Sequence, residues 1–151
     1  MITNDNHTVV YTIGTGQKKA KDFFSLLRAN KIRRIIDVRL NNVSQLAGFT
    51  KKHDLAYFLD ELCQCAYEHR PDWAPTKDIL DRYKKKEISW SEYEIEFARI
   101  MAGRNIISKV DISSLDKSCL LCSEPKADQC HRKLLVEQIK SAYPAIEVIH
   151  L

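Results

Sequence analysis

The sequence predicts an α/β protein: one three-layer domain over residues 1–151, with a mostly parallel sheet of about five strands, helices on both faces and an inserted helical pair. Three observations predict it. Short β-branched runs alternate with stretches whose apolar residues recur at helical spacing. The run Ser118-Cys-Leu-Leu-Cys-Ser123 is apolar almost throughout, as a strand covered on both faces must be. The length of 151 residues suffices for one core and not for two of ordinary size.

The elements follow in order. Val9-Val-Tyr-Thr-Ile13 is β-branched and aromatic, closes on Gly14-Thr-Gly16 and is followed by Ala20, Phe23, Phe24 and Leu27 at helical spacing, which reads as strand, glycine turn and helix. Arg34-Ile-Ile-Asp-Val-Arg39 is the second strand, and Leu55, Phe58, Leu59 and Leu62 mark the face of the next helix. Cys65-Ala-Tyr-Glu-His69 reads as a short third strand, after which Pro71 and Pro75 break the chain. From Thr76 the pattern is helical twice over. Ile79, Leu80 and Tyr83 lie on one stretch, and Trp90, Tyr93, Phe97, Ile100 and Met101 form the stripe of the other, opened by a Ser89/Glu92 capping box. Ser118 to Ser123 is the buried central strand, a helix beginning near Asp128 carries Leu135, Ile139 and Ala142 inward, and Glu147-Val-Ile-His-Leu151 closes the sheet.

Composition narrows the class without naming a function. A chain that is 44% hydrophobic and 29% charged, with four Gly and four Pro, is not collagen-like, low-complexity or disordered. The net charge of +4 permits a phosphate-bearing partner and does not require one. The segment Met1–His7 lacks the basic start and apolar run of a signal peptide, and no stretch approaches the roughly 18 apolar residues of a membrane span, so a cytoplasmic location without membrane contact is expected. In that setting five cysteines are expected to be buried hydrophobes, ligands or reactive thiols, not a disulfide framework.

In a parallel sheet, ligands bind beyond the carboxyl ends of the strands, where helix N-termini expose unpaired amides. Those ends carry Gly14-Thr-Gly16, then Asp37, Arg39, Ser44 and Gln45, then Glu124 with Cys130-His-Arg132. Two arginines beside helix amides suit a phosphate or carboxylate, and Glu124 beside His131 suits acid–base chemistry. Each part also has a plain structural reading. The glycine turn serves as a tight connection, and Asp37 and Arg39, two apart and so on one face of a strand, serve as a buried ion pair with each other or with Arg132. Cys130 is a passive thiol, or one made reactive by a helix N-terminus. The spacing Cys119-x2-Cys122-x7-Cys130-His131 suggests zinc, but residues three apart on a strand face opposite ways, so no metal site is expected. Cys122 and Arg132, ten residues apart, are too widely spaced for the single anion cradle of a phosphatase-like loop.

Taken together, Thr12-Ile-Gly14, Ile36-Asp-Val-Arg39, Asn42-x-Ser44-Gln-x-Ala-Gly-Phe49, Trp73-Ala-Pro75, Lys86-x-Ile-Ser-Trp90, and Leu121-Cys-Ser-Glu124 with Cys130-His-Arg132 resemble the family called domain of unknown function DUF488, from about Val9 to Leu151. The resemblance implies a compact α/β domain of largely bacterial and archaeal distribution with its signature polar residues at strand ends. It implies no reaction. Its pattern covers Gly14, Asp37, Arg39, Ser44, Glu124, Cys130, His131 and Arg132, while Thr15 falls at a variable position of the first turn.

Three functions remain open. The first is an enzyme acting on a phosphate-bearing substrate, a nucleotide or nucleic-acid end, gripped by Arg39, Arg132, and backbone amides at Gly14 to Gly16 and near Cys130, with Glu124 and His131 as acid and base. The second is a non-catalytic module that binds nucleic acid or an anionic partner through the same pocket and the basic Lys18, Lys19 and Lys21. The third is a thiol-dependent enzyme with Cys130 as nucleophile. None of them calls for a cofactor, and sequence leaves the oligomeric state open.

Overall fold

Strands β1 (Val9–Gly14), β2 (Arg34–Asp37), β3 (Ala66–His69), β4 (Ser118–Cys122) and β5 (Glu147–His150) pair in parallel in the order β3-β2-β4-β1-β5. They are seen in a computed structural model that describes residues 7–41, 48–124 and 130–151. The α/β class read from the alternation of elements is the observed one. Asp128, near which the last helix was expected to begin, lies outside the described residues; that helix runs from His131 to Ala142 with Cys130 as its N-cap.

Alternation along each strand divides the interior into two cores. Val9, Tyr11, Ile13, Ile35, Cys119 and Leu121 point to the face covered by α1 (Ala20–Ala29) and α2 (Lys52–Cys63), where they meet Phe23, Leu27, Leu55 and Leu59. Val10, Ile36, Leu120 and Cys122 point to the other face, beneath α3 (Lys77–Lys84), α4 (Trp90–Gly103) and α5 (His131–Ala142). Cys119 and Cys122 therefore belong to different cores, as a period of two requires. The inserted pair is α3 and α4. The Thr76 hydroxyl accepts from the Ile79 amide to start α3, and Ser89 and Glu92 form the reciprocal box at the start of α4. Arg82 of α3 then binds Glu96 of α4 through both carboxylate oxygens.

The strand order decides where a site can lie. Both connections on the α1/α2 face run toward β3, and both on the opposite face run toward β5, as right-handed crossovers require when the chain reverses direction. β2 and β4 are neighbours whose outgoing connections diverge, so the crevice beyond their carboxyl ends is a topological switch point.

Gly14 ends β1 beside Cys122, and a Cβ there would stand 1.6 Å from the Glu124 carbonyl oxygen and 2.5 Å from Arg132 Nη1. The glycine is needed for close approach, since its φ is not positive. Gly14→Ala should destabilise the fold by about 3 kcal/mol or more because backbone must shift, whereas Gly103→Ala, with nothing within 4 Å of the added carbon, should be neutral or stabilising by up to about 1 kcal/mol; chemical denaturation of the two variants checks both.

Candidate functional site

Beyond the ends of β2 and β4 lies a cleft of about 620 Å³, bounded on one side by Arg39 and on another by Tyr83, Trp90 and Tyr93 of the inserted pair, with Cys122, Cys130 and His131 also lining it. The aromatic stripe of α4 thus has two roles. Tyr93 and Phe97 are core, while the half-buried Trp90 stacks on Tyr93 with ring centres 5.0 Å apart and faces the cleft.

Asp37 and Arg39, fully enclosed, hold each other. Arg39 donates from Nε to Oδ1 at 2.9 Å and from Nη2 to Oδ2 at 2.7 Å, its backbone N–H donates to Oδ1 at 3.1 Å, and Nη2 also reaches the Thr50 carbonyl at 2.8 Å. The Tyr67 hydroxyl adds a bond of 2.6 Å to Asp37 Oδ2. The pair is a buried bidentate bridge, so most of the guanidinium expected to grip an anion is already in use; Arg39 Nη1 has no partner among the described residues. The amides expected at the glycine turn are in use as well. Thr15 N–H donates to the Cys122 carbonyl at 3.0 Å and Gly16 N–H to the Ser123 carbonyl at 2.9 Å. Gly14 to Gly16 therefore hold down the segment that follows β4 and form no phosphate cradle. Ser44, the remaining expected anion ligand, lies outside the described residues.

Arg132 is the second buried arginine, 1% exposed, and its Nη1 donates to Cys122 Sγ at 2.9 Å and to the Glu124 carbonyl at 2.6 Å. The separation of ten positions between Cys122 and Arg132 does not keep them apart, contrary to the spacing argument. β4 runs out and α5 starts back beside it, so strand end and first helical turn meet. Glu124 contributes its carbonyl to Arg132 while its side chain is exposed, and among the described residues no hydrogen bond joins it to His131. The expected acid–base pair is not assembled.

Cys130 Sγ lies 2.7 Å from Cys122 Sγ, which puts Cys122 between a thiol and a guanidinium. Burial pushes the Cys122 thiol up, but the hydrogen bond from Cys130, the charge and hydrogen bond of Arg132 and a backbone bond from Glu124 outweigh it, and the net shift is downward. Cys130 moves the other way. Its S–H is held by Cys122 and it is buried, so it stays protonated, which transfers the low-pKa role foreseen for Cys130 to Cys122. Lys18, in the β1–α1 connection, is lowered by burial and by the charge of Arg132, and so belongs to this cluster instead of to a solvated basic patch. Lys19 and Lys21 are exposed.

His131 begins α5. Its Nε2 donates to the Val38 carbonyl at 2.7 Å, and Nδ1 faces Cys130 Sγ at 3.9 Å. Burial lowers its pKa to about 4, against the Val38 hydrogen bond, with the charge of Arg132 acting in the same direction as burial. The ring is neutral at physiological pH and a weak base. It ties α5 to the end of β2, next to the Asp37–Arg39 bridge. Among the described residues no three His, Cys, Asp or Glu side chains converge as a metal site, and no helix is long and apolar enough to cross a membrane.

The family model Domain of unknown function DUF488 matches residues 19–139. The chain belongs to the DUF488 family. No curated protein and no solved structure matches it. Of the DUF488 positions named from the sequence, Arg39, Glu124, Cys130 and His131 line the cleft, Arg132 stands behind Cys122, and Gly14 makes room for Arg132. Sequence spacing does not single out Cys122, because it sets that residue only against a zinc site and a phosphatase-like loop. A thiol at the last position of a buried strand, followed by a second thiol and an arginine at the next helix start, is the signal that points to it.

Because His131 has a lower pKa in the folded chain than its ordinary 6.5, the stability it confers is complete above that value and is lost as pH falls toward about 4, by up to about 3 kcal/mol. Denaturation midpoints measured across this window should fall for the wild type and stay flatter for His131→Gln.

Proposed function

We propose that the protein is a thiol-dependent enzyme whose nucleophile is Cys122. The observation that carries this reading is the contact of Arg132 Nη1 with Cys122 Sγ at 2.9 Å, with Cys130 Sγ 2.7 Å away. A guanidinium excluded from water needs a counter-charge. Asp37, the one buried carboxylate among the described residues, is taken by Arg39, so Arg132 is left with the sulfur. The thiolate is the nucleophilic form of cysteine, and a neighbouring cation is one of the ordinary ways to keep it deprotonated.

In this reading the cleft admits an electrophile, Cys122 Sγ attacks it, and Arg132 holds the sulfur anionic until it does. Cys130 donates its S–H to the thiolate and supplies the proton that a departing group needs. His131 holds α5 against β2 and keeps Cys130 and Arg132 in register with Cys122, which makes it a positioning residue. The aromatic wall of Tyr83 and Trp90 gives the electrophile a surface to lie against.

A second reading keeps the phosphate-bearing substrate, a nucleotide or nucleic-acid end, with Cys122 attacking phosphorus. One observation favours it: among the described residues the N-cap Cys130 makes no side-chain capping bond, and Cys130 and His131 at this helix start line the cleft. It requires inorganic phosphate or a mononucleotide to raise the thermal midpoint, by about 2.7 kcal/mol of added stability at 100 times the dissociation constant. A flat response across that panel removes it.

The thiol reading is tested by following the ultraviolet absorbance of thiolate against pH. The groups that act on the Cys122 thiol are Arg132 and Cys130 of the α5 start and the Glu124 backbone by contact, and Lys18, Tyr93 and, from the opposite face of the sheet, Cys119 through space. A step below the ~8.5 of a free cysteine is expected; it should vanish in Cys122→Ser and move up in Cys130→Ala, which removes the S–H donor. If Cys122 titrates with the buried Cys65 and Cys119, whose pKa values are raised, the reading is wrong.

A further inference from the structure

We infer that Cys122 and Cys130 work as a dithiol–disulfide couple that reduces a small hydroperoxide, an inference that rests on Cys122 being the reacting thiol. Three features of the molecule support it. The two sulfurs are already in contact at 2.7 Å, so neither strand end nor helix start has to travel for one to resolve the other. Both belong to the wall of the cleft, which gives a reagent a route to them. Both residues are nevertheless almost enclosed, Cys122 at 1% and Cys130 at 3% exposed, which selects the reagent by size. The oxygens of a hydroperoxide, no larger than two waters, reach so enclosed a sulfur more readily than a bulky disulfide does.

The remaining cysteines provide the contrast. Cys119 faces the opposite core, Cys63 ends α2, and Cys65 immediately precedes β3. Burial is the first cause of the raised pKa of each. Among the described residues, Cys122 alone of the five has a guanidinium on its sulfur.

The chemistry balances as follows. The Cys122 thiolate attacks the outer oxygen of ROOH; the S–O bond forms, the O–O bond breaks, and the products are Cys122 sulfenic acid and RO⁻. RO⁻ takes the proton of the Cys130 thiol and leaves as ROH. The resulting Cys130 thiolate attacks Cys122 sulfur, the S–S bond forms, and hydroxide departs to be protonated to water. A small dithiol then reduces the bridge by exchange, returning both thiols and becoming a cyclic disulfide. The sum is ROOH plus dithiol to ROH, water and disulfide. Arg132 N–H donates to the sulfur at the start and is placed to donate to the oxygen transferred to it.

The test uses the full chain, reduced and then freed of reductant, treated with one equivalent of hydrogen peroxide and mapped by peptide mass under non-reducing conditions. The expected result is loss of two hydrogens and a single Cys122–Cys130 cross-link, formed at least about tenfold faster than any change at Cys63, with continuous peroxide consumption when dithiothreitol is supplied. In Cys130→Ser the reaction should stop at a Cys122 that has gained one oxygen and is trapped by dimedone. Cys122→Ser should consume no peroxide, and because the wild-type map stands without any variant, poor folding of either one leaves the test intact. If Cys122 has the low thiolate titration and is alkylated by iodoacetamide, yet peroxide yields no Cys122–Cys130 bond, the couple is refuted and the thiol reading stands. If Cys122 neither titrates low nor reacts with either reagent, both fall.

Discussion

A guanidinium that has lost its water is the constraint on which the end of this sheet is built. Arg132 is buried, and a charge in that position has to be met by acceptors or it would not stay charged and enclosed. Its Nη1 is met by the Glu124 carbonyl and the Cys122 sulfur. Three otherwise unrelated features follow from that. Glu124 turns its backbone inward while its carboxylate stays at the surface, Gly14 carries no side chain because that space is taken by the same carbonyl and guanidinium, and Cys122 becomes the more acidic of two adjoining thiols.

The two buried arginines are handled in opposite ways, and the difference separates structure from chemistry. Arg39 has a carboxylate, two parallel hydrogen bonds and a further carbonyl, so among the described residues all but its Nη1 is engaged, and it holds the β2 end against the Gly48–Thr50 turn. Arg132 has a sulfur in place of a carboxylate. A carboxylate is ionised at neutral pH wherever it is paired, and its pairing adds no reactivity, whereas a thiol ionised by its partner becomes a nucleophile. The same physical need, compensation of a buried cation, thus yields a strut at one strand end and, in the proposed reading, a reactive group at the next.

The parallel topology brings these two ends together. Because the connections leaving β2 and β4 diverge, a crevice opens beyond their carboxyl ends, and α3 and α4 roof it. His131 fastens the arrangement across the crevice, from the first turn of α5 to the Val38 carbonyl just past β2. Its lowered pKa keeps a second positive charge away from Arg132 at neutral pH.

The elements themselves were legible in the chain because they depend on short-range periodicity. The β-branched runs, the helical stripes, the Ser89/Glu92 box and the opposed faces of Cys119 and Cys122 are all set within a few residues. The Asp37–Arg39 pairing was legible for the same reason, since residues two apart on an extended segment share a side. What the sequence could not reveal is which groups become partners once segments fold back on each other. The contact of Arg132 with Cys122 bridges ten residues and depends on the Gly14 gap in a strand more than a hundred residues earlier. The amides of the glycine turn looked available for phosphate until the segment after β4 was seen to take them. Local pattern therefore determined the fold class and the set of polar residues at the strand ends, while tertiary structure alone decided which of them are consumed and which sulfur meets Arg132, because burial and pairing exist only after the chain has closed on itself.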